Sequence, residues 1–308
     1  MPNVVNTYAS VAPAALTFYE KHLIANAEPV LVHNQFGQKR PIPANSGKKI
    51  NFRKYSKLPK ATTALTEGVT PEGQELIKTF VEATVSQYGA YVAYSDMLPL
   101  ADIDKDMTEV NKLLGMNAGE TLDYITAQVL ASGTNAFYAQ GGTARDALTA
   151  ENNALTVNDI KRAAAILKKN CAKPIDGAYV AIVHPFVAFD LMKDPQWIDV
   201  KNYDNKDLYA GELGTLYGIR FVESSEATVF SGAGAGGVDV YATLVIGADA
   251  YGVSEITGGG LKTIIKQLGS AGSADPLDQR GSQGWKATHT AVILNELNMV
   301  RIESASSM

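Results

Sequence analysis

Between residues 104 and 131, apolar side chains fall at Met107, Val110, Leu114, Ala118, Leu122, Ile125 and Val129, at intervals of 3 or 4. That spacing puts all seven on one face of an α-helix. Asp102, Asp104 and Asp106 cluster at its start, where exposed N–H groups and the dipole favour carboxylates. Ser132-Gly133 ends it. At about 1.5 Å per residue the helix is roughly 40 Å long, beyond the usual globular length. A stripe of that length needs a cover. Leu114, Leu122 and Ile125 are expected to face a sheet made from strands near 261–268 and 285–303.

The rest of the chain supplies strands and one more clear helix. Residues 1–45 hold five of the twelve prolines and read as an extended arm with a short helix around Ala14–Ala27. Residues 46–98 read as a two-stranded excursion. Lys49–Tyr55 alternates polar and apolar, Phe80–Tyr88 returns, and a polar tip, 60–74, lies between. A long hairpin with little core of its own is marginal in water, so it is expected to pack on something else, such as another subunit. A helix over Val157–Lys169 starts at Thr156, with Asp159 completing a cap. Tyr179–Val183, Ile219–Val222 and Val240–Ile246 read as buried strands, and His184-Pro185 opens a short helix. The polar stretch Asp275–Thr288 reads as a Gly-broken loop feeding a long buried strand.

Composition narrows the class. No apolar run approaches the roughly 18 residues needed to cross a bilayer, so no membrane partner is expected. The N-terminus lacks a signal-peptide pattern, and synthesis in the cytoplasm is the expectation. With 27 basic and 32 acidic residues the formal charge is −5, which disfavours a dedicated nucleic-acid binder. Most cytosolic proteins share such a balance, so it selects no single class. Cys171 is the sole cysteine; it permits no intramolecular disulfide and no thiolate zinc site, and reads as a partly buried thiol.

Chemistry-bearing motifs resolve into structural ones. Asp102–Asp106 lacks the Gly and Glu of a calcium loop, with Met107 and Leu113 at those positions. Ser231–Gly237 lacks the Lys-Ser/Thr of a phosphate loop and leads into a strand. His22, His33, His184 and His289 have no metal-ligand spacing, and His184 reads as a cap or packing residue. Glu223 and Glu226 could serve acid–base chemistry, but nothing marks a cleft. No catalytic, metal or cofactor site is expected. The concentrated basic run is Lys48, Lys49, Arg53, Lys54, Lys57 and Lys60, interleaved with Phe52 and Tyr55. It is either a solvated hairpin face or a surface that docks on an acidic neighbour.

Several segments, in order, carry a resemblance: Leu65–Pro71, Gln87-Tyr88-Gly89 with Asp96, His184-Pro185 with Asp190-Leu191, Gly211–Gly214 with Gly218–Ser224, and Asp275–Thr288 with Arg301-Ile302-Glu303. Together they resemble the Hong Kong 97-type coat of tailed phages, near the branch of the podovirus coliphage N-four. The resemblance implies an α+β capsid fold and a non-enzymatic major capsid protein. Such a protein forms hexamers and pentamers of an icosahedral head around double-stranded DNA. Residues 1–45 would be the N-terminal arm and 46–98 the extended loop over the adjacent subunit. Residues 99–174 would be a peripheral domain with the spine helix, 175–257 the axial domain, and 258–308 the return of the peripheral sheet. Lys48, Lys49, Arg53, Lys54, Lys57, Lys60, Glu67, Gly68 and Pro71 would make inter-subunit contacts. No helix-rich scaffolding segment precedes residue 1, so a separate or removed scaffold is expected, with a portal and decoration proteins as further partners. The Lys–Asn pair that cross-links some members is not matched. Two other readings are an encapsulin-type cellular shell and, in a different class, a small-molecule enzyme built on the 175–257 block.

Overall fold

The computed structural model describes Leu23 and residues 32–55, 58–96, 106–197, 214–270 and 275–308. The helix expected near 14–27 lies outside this set except at Leu23, as do Lys57, Asp102, Asp104 and Gly211–Leu213; so does the Met107 side chain. The strands are β1 (Gln38–Lys39), β2 (Lys49–Tyr55), β3 (Lys78–Thr84), β4 (Ser86–Ser95), β5 (Ala136–Tyr138), β6 (Tyr179–Val183), β7 (Thr215–Leu216), β8 (Ile219–Glu223), β9 (Val229–Phe230), β10 (Val240–Ile246), β11 (Tyr251–Ser254), β12 (Lys262–Lys266), β13 (Arg280–Ile293) and β14 (Met299–Ser304). The helices are α1 (Asp106–Ala131), α2 (Val157–Lys169) and α3 (Pro185–Lys193).

Two sheets carry the body. One has seven strands in the order β5-β14-β10-β6-β8-β7, with β9 on β10. β6, β10 and β14 are buried along their whole length, because both faces of this sheet are covered. On one face α2 and α3 bring Ile160, Leu167, Val187 and Leu191 against Val183, Val245, Val300 and Ile302. On the other, Leu130 and Tyr251 meet Val180, Ile182, Leu244 and Met299. A strand covered on both sides loses the alternation of a half-exposed one and reads as a continuous apolar run.

Local sequence sets the two short helices. Thr156 and Asp159 exchange hydrogen bonds in a full capping box at the start of α2. Pro185 occupies the first turn of α3, and the His184 ring accepts from the Phe186 N–H.

The second sheet, β1-β11-β13-β12 with β4 also on β13, lies against α1. Leu114, Ala118 and Leu122 pack with Leu23, Trp285 and Ala287. Here the structure corrects three expectations. Residues 280–288 are not a loop but the first half of β13, paired with β4 from Arg280↔Ser95 to His289↔Ser86. The glycines belong to the strand because β4 comes close to them: the Tyr94 ring lies over Gly281, and a Cβ on Gly284 would sit 2.6 Å from Tyr91 Cβ and 2.7 Å from the Ala90 carbonyl oxygen. The return strand expected over 80–88 is two strands, β3 and β4, parted at buried Val85, whose N–H donates to Lys48 O at 2.8 Å. The long strand expected to end at 303 is also two, β13 and β14, split by a helical turn at Glu296–Asn298 and placed in different sheets.

Candidate assembly surfaces

β2 and β3 form a two-stranded ladder, Lys49↔Thr84 through Tyr55↔Lys78. Alternation sends Ile50, Phe52 and Lys54 to one side and Lys49, Asn51, Arg53 and Tyr55 to the other. Phe52 is buried and lies on Gly252 of β11, where a side chain would clash with its ring. That anchors the hairpin base to its own chain.

The basic run is divided by this packing. Lys54 Nζ donates to Asn295 Oδ1 at 2.8 Å and Lys49 pairs with Glu82 at 2.6 Å. Both therefore contact their own chain. Lys48, Arg53 and Lys60 are exposed.

Beyond the ladder, every residue from 58 to 77 is exposed, including Glu67, Gly68 and Pro71. Gly68 has φ +76°, a conformation that favours glycine, in the turn where Val69 N–H donates to Thr66 O. Apolar side chains are uncovered here: Leu65 is 77% exposed and Val69 63%. Such a segment carries surface that a folded monomer ordinarily hides.

The α1 face holds more than leucines. Asn111 Oδ1 accepts from Gln283 Nε2 at 2.9 Å, and Asn117 Oδ1 accepts from Trp285 Nε1 at 3.0 Å. Thr126 Oγ1 lies 2.9 Å from His289 Nε2. Asp123 accepts from the His33 backbone N–H at 2.7 Å and contacts its ring Nδ1 at 2.6 Å. These contacts pin the 32–36 segment, the helix and β13 together. Burial pushes the His289 pKa down to about 4, against a smaller upward pull from Asp123. Sequence reasoning missed this seam because each polar residue alone reads as a solvent-facing position. Ile125 is only half-buried and lies outside the α1–β13 cluster, unlike Leu114 and Leu122. At about 100° per residue, position 126 lies closer in angle to 122 than 125 does, so the buried stripe continues through Thr126 and Leu130.

Arg301-Ile302-Glu303 gains a role on β14. Glu303 is fully buried and accepts from Arg145 Nε and Nη2, each at 2.7 Å, and from Arg301 Nε at 2.9 Å. Burial alone would raise its pKa; the two guanidinium groups outweigh burial and hold it below the usual range. Arg301 also donates to the Ala131 and Gly133 carbonyls. It thereby satisfies the C-terminal end of α1.

The positions considered for chemistry sit apart. Cys171 is exposed, not partly buried, because it lies past the end of α2 at φ +56°. Glu223 is exposed, and burial with the charges of Glu120 and Asp123 raises the pKa of half-buried Glu226. In the Gly-rich stretch, Gly232 N–H donates to Asp239 at 2.7 Å. Among the described residues no group of three His, Cys, Asp or Glu is placed to hold a metal ion, and no helix is long and apolar enough to cross a membrane.

The described residues form two sheets packed against helices and an excursion that its own chain leaves uncovered, the features of a protein whose surfaces rather than a pocket are its candidate sites. Residues 79–302 match the sequence profile of the family described as phage capsid protein, and the chain belongs to that family. The fold is similar to the capsid of Ralstonia phage GP4, with TM-score 0.70, 15% identity, and coverage of 89% of this chain and 88% of that one. It is similar to the capsid of cyanophage Pam1, with TM-score 0.72, 16% identity, and coverage of 92% and 93%. A virus-like particle from Pyrococcus furiosus shares it more loosely, at TM-score 0.56, 10% identity, and coverage of 94% and 99%. No curated protein matches the chain. The α+β capsid fold of the Hong Kong 97 type is the fold of this chain. The protein is a structural, non-catalytic major capsid protein, and it associates with copies of itself into the icosahedral shell of the virion.

Proposed function

We propose that this chain builds a tailed-phage head of the branch typified by coliphage N-four, as hexamers and pentamers around double-stranded DNA. The observation that carries this reading is the family match over 79–302 together with an excursion, 58–77, that its own chain leaves uncovered. In this reading residues 1–45 are the arm and 46–98 the loop that lies over a neighbour, reached through Glu67, Gly68, Pro71 and the exposed members of the basic run. α1 is the spine of a peripheral domain, 99–174, which 258–308 rejoins through β12 and β13 before β14 enters the seven-stranded sheet; 175–257 is the axial domain at the capsomer centre. A scaffolding protein, a portal and decoration proteins are the partners, and assembly takes place in the host cytoplasm. The net charge of −5 keeps the wall from adhering to packaged DNA by non-specific phosphate contacts. The family match to phage capsids favours this reading over an encapsulin-type compartment or an enzyme.

The test is sedimentation and negative-stain imaging of the chain expressed with its phage's assembly proteins. Large closed particles with five-fold and six-fold clusters are expected. A small monodisperse oligomer under every condition would refute the reading.

A further inference from the structure

The face of the β4–β13–β12 sheet turned away from α1 carries a groove of about 470 Å³. Trp285 and Ala287 point to α1, so Gly284 and Lys286 fall on the opposite face. Tyr91, Gly284 and Ile264 stand in one cross-strand row. Gly284 contributes no side chain, which leaves a slot walled by Tyr91, 75% exposed, and Ile264, 38% exposed. Lys286 and Lys262 stand in the next row, and Lys266 in the row on the other side. β4, β12 and β13 contain no acidic residue. Among the described residues none of the three lysines forms an ion pair. An apolar slot between lysines fits an extended acidic segment with apolar anchors.

The same chain contains such a segment. Residues 61–77 carry Glu67, Glu72 and Glu75 with no Lys or Arg, and Leu65, Val69, Leu76 and Ile77 are each more than half exposed. Among the described residues, its hydrogen bonds, Val69 N–H to Thr66 O and Gln74 Nε2 to Pro59 O, stay within 59–74.

We propose that the tip of one copy lies in this groove of a neighbouring copy. An apolar tip side chain enters the Tyr91–Ile264 slot, and Glu67, Glu72 and Glu75 face Lys262, Lys266 and Lys286. This rests on the self-assembling capsid reading and adds the surface that receives the loop. It also gives the acidic tip, rather than the basic run at the hairpin base, the main electrostatic role. Complementary charges of this kind select partner and register.

Two experiments test it. In the first, wild-type shells are assembled from a mixture of isotopically light and heavy chains and treated with a zero-length carbodiimide. Mixed-isotope peptides joining Glu67, Glu72 or Glu75 to Lys262, Lys266 or Lys286 are expected. In the second, K262E/K266E/K286E and E67K/E72K/E75K should each lower shell yield at least about tenfold, and the six-fold combination should recover to within about threefold of wild type. Links from the tip glutamates to other lysines only, or wild-type yield from either triple variant, overturn the groove while leaving the capsid reading standing. A wild-type chain that never forms shells overturns both.

Discussion

Glu303 is a fully buried carboxylate in the middle of a sheet, an arrangement that costs several kcal/mol when unpaired. Arg145 approaches it with two parallel N–H groups and Arg301 with a third, so the charge is compensated and joins the 145–147 turn, β14 and the end of α1. His289 solves the same problem in the other way, by remaining neutral. Its folded pKa of about 4 lies below the ordinary value near 6.5. The unfolded chain therefore takes up its proton first as pH falls. The stability this group contributes is complete above about pH 6.5, declines below it, and is lost by about pH 4. Between pH 7 and 4.5 that amounts to about 2–3 kcal/mol. His184 has a folded pKa lowered by burial and adds to the same slope, whereas the raised carboxyl of Glu226 opposes it. Comparing chemical denaturation of wild type and H289Q at the two pH values isolates the term: the variant should lose about 2–3 kcal/mol less on acidification. Equal losses would show that His289 is not held neutral.

At the scale of elements, α1 illustrates what periodicity can and cannot supply. Its extent was legible from the apolar spacing, and Leu114 and Leu122 are buried against β13. The partners of its polar residues were not, since Asn111–Gln283 and Thr126–His289 join positions far apart in the chain. Leu122 is 7% exposed. Leu122→Asp should cost several kcal/mol, because the carboxylate would be buried beside Trp285 and Ala287 without a partner. Glu120 is exposed, and Glu120→Ala should change stability by less than about 1 kcal/mol. Circular-dichroism melts of the two variants check this. Similar melting points would mean that the α1–β13 contact does not support the fold. β13 teaches the converse lesson. Glycines normally signal a break, yet Gly281 and Gly284 sit in a paired strand, because the Tyr94 ring takes the space over Gly281 and the Ala90-Tyr91 stretch of β4 approaches Gly284 too closely for a side chain.

For the whole molecule, the excursion decides between a folded subunit and an assembled one. Residues 58–77 are exposed throughout, so they contribute little to the stability of the isolated chain. Ordering them costs conformational entropy that burial against a neighbour offsets. A chain lacking 60–74 should fold, remain soluble and melt within a few degrees of wild type, yet sediment only as subunits or capsomers. Normal particles from the deletion variant would show that the tip is dispensable for assembly.

Sequence by itself determined the elements whose cause is local. The capping box of α2, the Pro-led turn of α3, the runs of β6 and β10 and the length of α1 all follow from neighbours within a few residues in the chain. It also placed the exposed tip, because the scattered apolar residues of 60–74 follow neither a helical nor a strand period and so offer no continuous face to bury against the chain itself. Tertiary structure decided the rest. It assigned β13 and β14 to different sheets. It turned an expected loop into a strand and half-exposed Ile125. It also brought Arg145 to Glu303 across more than 150 residues. The physical reason is that burial, strand pairing and charge compensation depend on which surfaces meet in space, and a one-dimensional period reports only which side of an element is apolar.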